Sequence, residues 1–137
     1  RLVAWGISDP GNLGTMIRTA AAVGVDVVVG GEGSADPWSP KTVRAGAGAH
    51  FKVGLGQVES FDEALDGRRG LALVVTGGDD LDADPDGAWA LVVGSEAHGL
   101  PDEVAAACRP VTLPMPGGTE SLNAAVAASV ALYSLVV

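Results

Sequence analysis

Cysteine, aromatic residues and positive charge are all scarce in this sequence. Cys108 is the only cysteine, so no internal disulfide can form, and a reducing, cytoplasmic setting is the expectation. Aromatics make up 4% against 47% apolar residues, which leaves a core of Ala, Val and Leu and suits close packing of helices on a sheet. Eight Lys and Arg stand against seventeen Asp and Glu, a formal charge of −9. Phosphate contacts need clustered cations, so this balance speaks against a free-standing nucleic-acid binder. The chain opens on Arg1 and runs straight into "LVAWG" without an initiator Met, a cationic leader or a cleavage-site pattern. It therefore reads as a domain trimmed from a longer protein. Its 137 residues suffice for one hydrophobic core and not for two.

Several chemical motifs are also missing. There is no G-x-x-x-x-G-K-[ST] phosphate loop, and "GGEGSA" (30–35) lacks the dinucleotide spacing. His50 and His98 stand far apart with no Cys or second His at ligand spacing, so each reads as structural or superficial and no metal is expected. Ser95 is not in a nucleophile elbow. The acidic stretch "DDLDADPDG" (79–87) lacks the register and closing Glu of a calcium loop and reads as a solvated loop.

What is present is an alternation. Short Val/Leu-rich runs at 2–6, 25–30, 51–55, 71–76, 89–94 and 110–114 are continuous rather than alternating, as in strands buried on both faces. Helices are expected at 12–23, 39–48, 60–66, 101–108 and 120–136, giving an α/β fold with a mainly parallel sheet flanked by helices. In the first helix Leu13, Met16, Ile17, Ala20 and Val23 define a buried face and Arg18 falls off it. Ser60 with Glu63 forms a capping box, and Gly67 is the expected stop.

Three expected strands end in turns that allow close backbone approach: Gly77-Gly78, Gly94-Ser95-Glu96, and Pro114 to Gly118. Ligands in open α/β sheets bind outside the carboxyl ends of strands, where Gly admits them. Near these ends and the helix starts lies a small polar set, Asn12, Arg18, Glu96, Ser121 and Asn123. Taken singly, Arg18 reads as a solvated helix residue, and Asn12 and Ser121 as caps.

Together the motifs say more. "DPGNLGTMIRTAAAVGVDVVV", "LVVGSEAHGLP" and "LPMPGGTESLNAAVAASVAL" resemble, in order and spacing, the three signature motifs of the SpoU-type (TrmH-like) RNA ribose 2′-O-methyltransferases of the SPOUT superfamily. "VRAGAGAHFKV" resembles the segment between the first two, so the similarity spans nearly the whole chain. Ala97, His98 and "SLNAAVA" depart mildly from the usual pattern.

The resemblance implies a C-terminal deep trefoil knot, an exception to the rule against threaded loops. It implies S-adenosylmethionine bound at Thr76, Gly77, Gly94, Leu113, Met115, Leu122 and Asn123. Arg18 is implied as the catalytic residue, with Asn12, Glu96, Ser121 and Asn123 as further members of the active site. In-line attack of a ribose 2′-oxygen on a sulfonium methyl requires alignment of the two reactants. Arg is an awkward base, because a guanidinium keeps its proton at any physiological pH, so its expected role is to clamp the adjoining phosphate and stabilise the alkoxide; the proton acceptor is left open. The partners implied are tRNA or rRNA as substrate and a second subunit in a homodimer. An upstream RNA-binding domain would reconcile the acidic charge with that substrate. The alternatives are a non-catalytic SPOUT-like module that binds RNA or dimerises, and another α/β transferase.

The closing run, Ser121 to Val137, carries no charge but is short for a membrane span and polar at its start. Apolar residues on nearly every side predict burial from several directions, by the chain's own sheet and by a partner subunit.

Overall fold

The computed structural model describes residues 1–81 and 87–137. Of the acidic stretch 79–87, residues 82–86 lie outside the described residues.

Among the described residues seven strands form one sheet: β1 (Leu2–Trp5), β2 (Val27–Gly30), β3 (Leu55–Gln57), β4 (Arg69–Leu73), β5 (Asp79–Asp80), β6 (Trp89–Val93) and β7 (Arg109–Thr112). Their order is β3-β2-β1-β6-β4-β7-β5, and every neighbouring pair is parallel. The helices are α1 (Pro10–Val23), α2 (Pro40–Gly46), α3 (Phe61–Leu65), α4 (Asp102–Ala106) and α5 (Ala124–Val136). The mainly parallel α/β architecture expected from the apolar runs is the one observed.

The continuous runs are explained by burial on two faces. Leu2 and Ala4 of β1, Val27 and Val29 of β2, and Leu91 and Val93 of β6 join the core under α1 and α5. Val3 and Trp5, Val28, and Ala90 and Val92 point the other way, to the core under α3 and α4. Each fully buried Leu or Val contributes about 1.5–3 kcal/mol relative to exposure. On that second side Trp5 meets Phe61 edge to face, with centroids 5.1 Å apart.

Helix α1 starts where Asp9 accepts hydrogen bonds from the Gly11 and Asn12 amides with Pro10 at the first helical position, and it stops at Gly24 in the left-handed conformation. Leu13, Met16, Ile17 and Ala20 are buried as their spacing predicts. Gly14 is buried as well, because α2 crosses there: a Cβ would stand 2.6 Å from the Thr42 carbonyl oxygen and collide with Ala45. The capping box at Ser60 forms, with its hydroxyl accepting the Glu63 amide at 3.2 Å. Asp66 takes the left-handed position that ends α3, one residue before Gly67.

Three features depart most from the sequence reading. The run 51–55 is not a strand; residues Ala49–Phe51 form a 3-10 turn, and β3 begins only at Leu55. Phe51 is 94% exposed, so its apolar character marks no core position there. Helix α5 begins at Ala124 rather than at 120, with Asn123 as its N-cap. Strand β5, two aspartates paired with β7, carries no apolar signal at all.

Candidate active site

Sheet order reverses between β1 and β6, and on the β6 side a cavity of about 590 Å3 opens beyond the carboxyl ends of β4, β6 and β7. This is the crevice position expected of an open parallel sheet, and the volume falls within the range of small-molecule sites. Leu73 ends β4 and Val74 and Val75 follow it, Gly94 to Glu96 follow β6, and Leu113 and Met115 follow β7. Ser121, Leu122 and Asn123 close the wall at the entrance to α5.

Backbone contact shapes the β6 side. Gly94 lies against its own loop, so that a Cβ there would fall 2.7 Å from both the carbonyl carbon and oxygen of Gly99. The loop is pinned by the Gly99 amide on the Ser95 carbonyl at 2.8 Å, and by the His98 amide on the Ser95 hydroxyl at 3.2 Å. His98 is thus an exposed loop residue, and Ser95 is engaged in holding the turn.

The start of α5 joins three of the candidate residues. A helix begins with amides that have no intrahelical acceptor. Here the Ala124 amide donates to Glu96 Oε1 at 2.7 Å, and the Ala125 and Val126 amides donate to Asn123 Oδ1 at 2.9 and 3.2 Å. Asn123 Nδ2 also donates to Asn12 Oδ1 at 3.1 Å, which ties α1 to the cavity rim. Farther along, Thr19 Oγ1 and Ser129 Oγ are 2.9 Å apart, and Ser129 donates to the Ala125 carbonyl. Capping therefore falls to Asp9 and Asn123, while Asn12 sits inside the first turn of α1 and Ser121 lies before α5 on the cavity wall.

Gly94, Glu96, Leu113, Met115, Ser121, Leu122 and Asn123 thus come together around one cavity. Thr76 and Gly77 do not line it; they are exposed just beyond Val75, which does. Leu73, Val74 and Leu100 are wall residues that the sequence reading did not single out. Their signal was the position just after a strand or turn, which a short apolar run does not resolve residue by residue. Arg18 is also absent from the wall. It is exposed, makes no hydrogen bond or ion pair among the described residues, and lies about 240° around α1 from Asn12.

The other histidine is structural: His50 Nε2 donates to the Pro37 carbonyl at 2.7 Å, while its Nδ1 is buried without a partner. Among the described residues no group of His, Cys, Asp and Glu could hold a metal ion, and no helix is long and apolar enough to cross a membrane.

Comparison with known proteins gives a consistent result. The sequence model of the SpoU rRNA Methylase family matches residues 1–133. The chain is 38% identical over 136 residues to the 23S rRNA (guanosine(2553)-2′-O)-methyltransferase of Bacillus subtilis, covering 94% of this chain and 54% of that protein. Among solved structures, the SpoU methyltransferase AviRb of Streptomyces viridochromogenes in complex with AdoMet superposes with a TM-score of 0.87 at 32% identity, over 97% of this chain and 55% of that one. A structure described as giving insight into 2-OH methylation of C/U34 on tRNA matches at a TM-score of 0.85 and 36% identity, over 96% of this chain and 90% of that one. The chain spans about half the length of the first two relatives.

Proposed function

The chain belongs to the SpoU rRNA methylase family, and on that premise we propose that it transfers a methyl group from S-adenosylmethionine to a ribose 2′-hydroxyl of tRNA or rRNA. The observation that carries this reading is the convergence of Gly94, Glu96, Met115 and Asn123 on one cavity at the carboxyl ends of three parallel strands. The residues present fit the cofactor. Leu100, Leu113, Met115 and Leu122 offer an apolar wall for a flat base, and Gly94 brings the backbone close enough to hydrogen-bond it. Bound there, S-adenosylmethionine supplies an electrophilic sulfonium methyl.

The chain's own residues do the rest. Glu96 and Asn123 hold the first turn of α5 against the β6 loop, which fixes the cavity wall. Asn12, held by Asn123, marks the rim where the ribose enters. Arg18 clamps the phosphate beside the reacting nucleotide and stabilises the developing 2′-alkoxide by charge-assisted hydrogen bonds.

Arg18 lies off the wall of this cavity, and α5 exposes Val126, Val130 and Tyr133 along one side. Both observations support a homodimer in which Arg18 of one subunit serves the cavity of the other. A C-terminal deep trefoil knot belongs to the same reading, through the family to which the chain belongs.

The test is to measure binding of S-adenosylhomocysteine by calorimetry and transfer of labelled methyl to cellular RNA, using full-length protein and its Arg18→Ala variant. Cofactor-product binding is expected to be equal in the two, with transfer at least about 100-fold slower in the variant. Full transfer by Arg18→Ala removes the role given to Arg18, and failure of the parent to bind S-adenosylhomocysteine leaves only a non-catalytic module.

A further inference from the structure

The charge of −9 is not spread evenly. Residues 37–58, "PWSPKTVRAGAGAHFKVGLGQV", carry three cations and no acid, whereas the remainder carries five cations and seventeen acids. The same stretch holds Trp38, 51% exposed, and Phe51, 94% exposed, in a chain with only six aromatics. Lys41, Arg44 and Lys52 are all exposed, and none makes an ion pair among the described residues. Arg1, Arg68 and Arg109, by contrast, are tied to carboxylates. Asp26, which lies beside Gly54, is held by Arg1 at 3.0 Å.

The fold gathers these groups. The His50 bond to the Pro37 carbonyl joins the neighbour of Phe51 to the neighbour of Trp38 and closes the segment on itself. Lys41 and Arg44 are one turn apart on α2 and so share a side. α2 crosses α1 at Gly14, and Arg18, four residues on, lies on that same side of α1. Asn12 and Thr19, which touch α5, lie about 160° and 140° around the helix from Gly14. The basic, aromatic surface and the apolar side of α5 therefore occupy opposite flanks of α1.

We propose that the 37–58 segment is the docking surface for the single-stranded RNA flanking the methylated nucleotide, with Lys41 and Arg44 on consecutive phosphates and Phe51 and Trp38 as stacking platforms for unpaired bases. This rests on the RNA methyltransferase reading and extends it from Arg18 outward. A polyanion is the occupant that unpaired cations select, and exposed aromatic faces among cations are what unpaired bases stack on.

The experiment uses full-length protein and 5′-fluorescein-labelled single-stranded RNA of mixed sequence, with anisotropy measured across a salt series and S-adenosylhomocysteine binding as the control. Lys41→Ala with Arg44→Ala should lower the magnitude of the slope of log K against log salt by about 1.4, at about 0.7 for each phosphate that is no longer neutralised. Phe51→Ala should weaken binding by about five- to 100-fold at fixed salt. Cofactor-product binding should not change in any variant. Parental affinity and slope in all variants would overturn the proposal while leaving the methyltransferase reading intact. If the parent binds S-adenosylhomocysteine but neither binds nor methylates RNA, the underlying reading fails. If Phe51→Ala changes the sedimentation mass and not the RNA affinity, this face contacts a second copy and the proposal is wrong.

Discussion

Gly94 follows β6 where the chain must turn under the cavity, and it shows how one missing Cβ can decide a site. The atoms nearest its virtual Cβ are the backbone carbon and oxygen of Gly99, 2.7 Å away, and backbone cannot rotate aside as a side chain can. Gly94→Ala is therefore expected to push the 95–99 turn into the cavity, with a stability cost of about 1–3 kcal/mol for overpacking and at least a tenfold loss of S-adenosylhomocysteine affinity. Calorimetry beside a thermal melt reads both, and parental affinity in the variant would show that the turn relaxes away from the site. At this scale the sequence marked Gly94, Glu96, Ser121 and Asn123 of the cavity wall, because a glycine or a polar residue interrupts an apolar run. It was uninformative for Thr76 and Gly77 against Leu73 to Val75. β4 ends at Leu73, three residues before the end of its apolar run at Thr76, and nothing in "LALVVT" marks where the ladder stops.

Elements were legible where burial is two-sided and illegible where another force sets them. β1, β2 and β6 could be read from apolar runs because each feeds both cores, and β4 because Leu71 and Ala72, on its two faces, are both buried. β5 could not, since Asp79 and Asp80 are held by the β7 ladder and by the Arg109 to Asp79 ion pair at 3.0 Å. The start of α5 was misplaced because Ser121 and Leu122 continue the polar and apolar alternation without being helical, and because its caps come from 96 and 123. Those caps separate structure from chemistry. Glu96→Ala leaves the Ala124 amide without an acceptor beside the cavity and should cost about 1–2 kcal/mol. Glu96→Gln keeps an oxygen in place and should recover most of that stability in a melt. If its methyl transfer recovers as well, Glu96 serves by holding α5; if transfer stays low, the negative charge itself is needed. Destabilisation equal to that of the Ala variant would mean that the Gln oxygen does not reach Ala124.

The whole molecule presents two unlike surfaces across α1, and neither the acidic total nor the apolar total described them. Averaged over the chain, a charge of −9 argued against RNA; resolved along the chain, it leaves residues 37–58 without a single acid. The uncharged last helix predicted burial from several directions, by the sheet and by a partner subunit; within one chain Val126 is 47% exposed, Val130 45% and Tyr133 50%, spaced four and three residues apart on one face. Three large apolar side chains in line on a solvent face are what a subunit contact would cover. Val126→Asp combined with Val130→Asp places two carboxylates there without touching Ala125, Ala128, Ala131 or Leu132, which carry the packing on the sheet. The variant should therefore keep its circular dichroism spectrum and its thermal transition while losing the dimer proposed for the parent, read as a lower sedimentation mass. Because Arg18 stands off the cavity of its own chain, methyl transfer should fall with dimerisation, while the cavity itself, built within one chain, continues to bind S-adenosylhomocysteine. A monomeric variant with parental turnover would place Arg18 in service of its own cavity, through a movement of α1 relative to α5 that must first break the Asn12 to Asn123 and Thr19 to Ser129 hydrogen bonds.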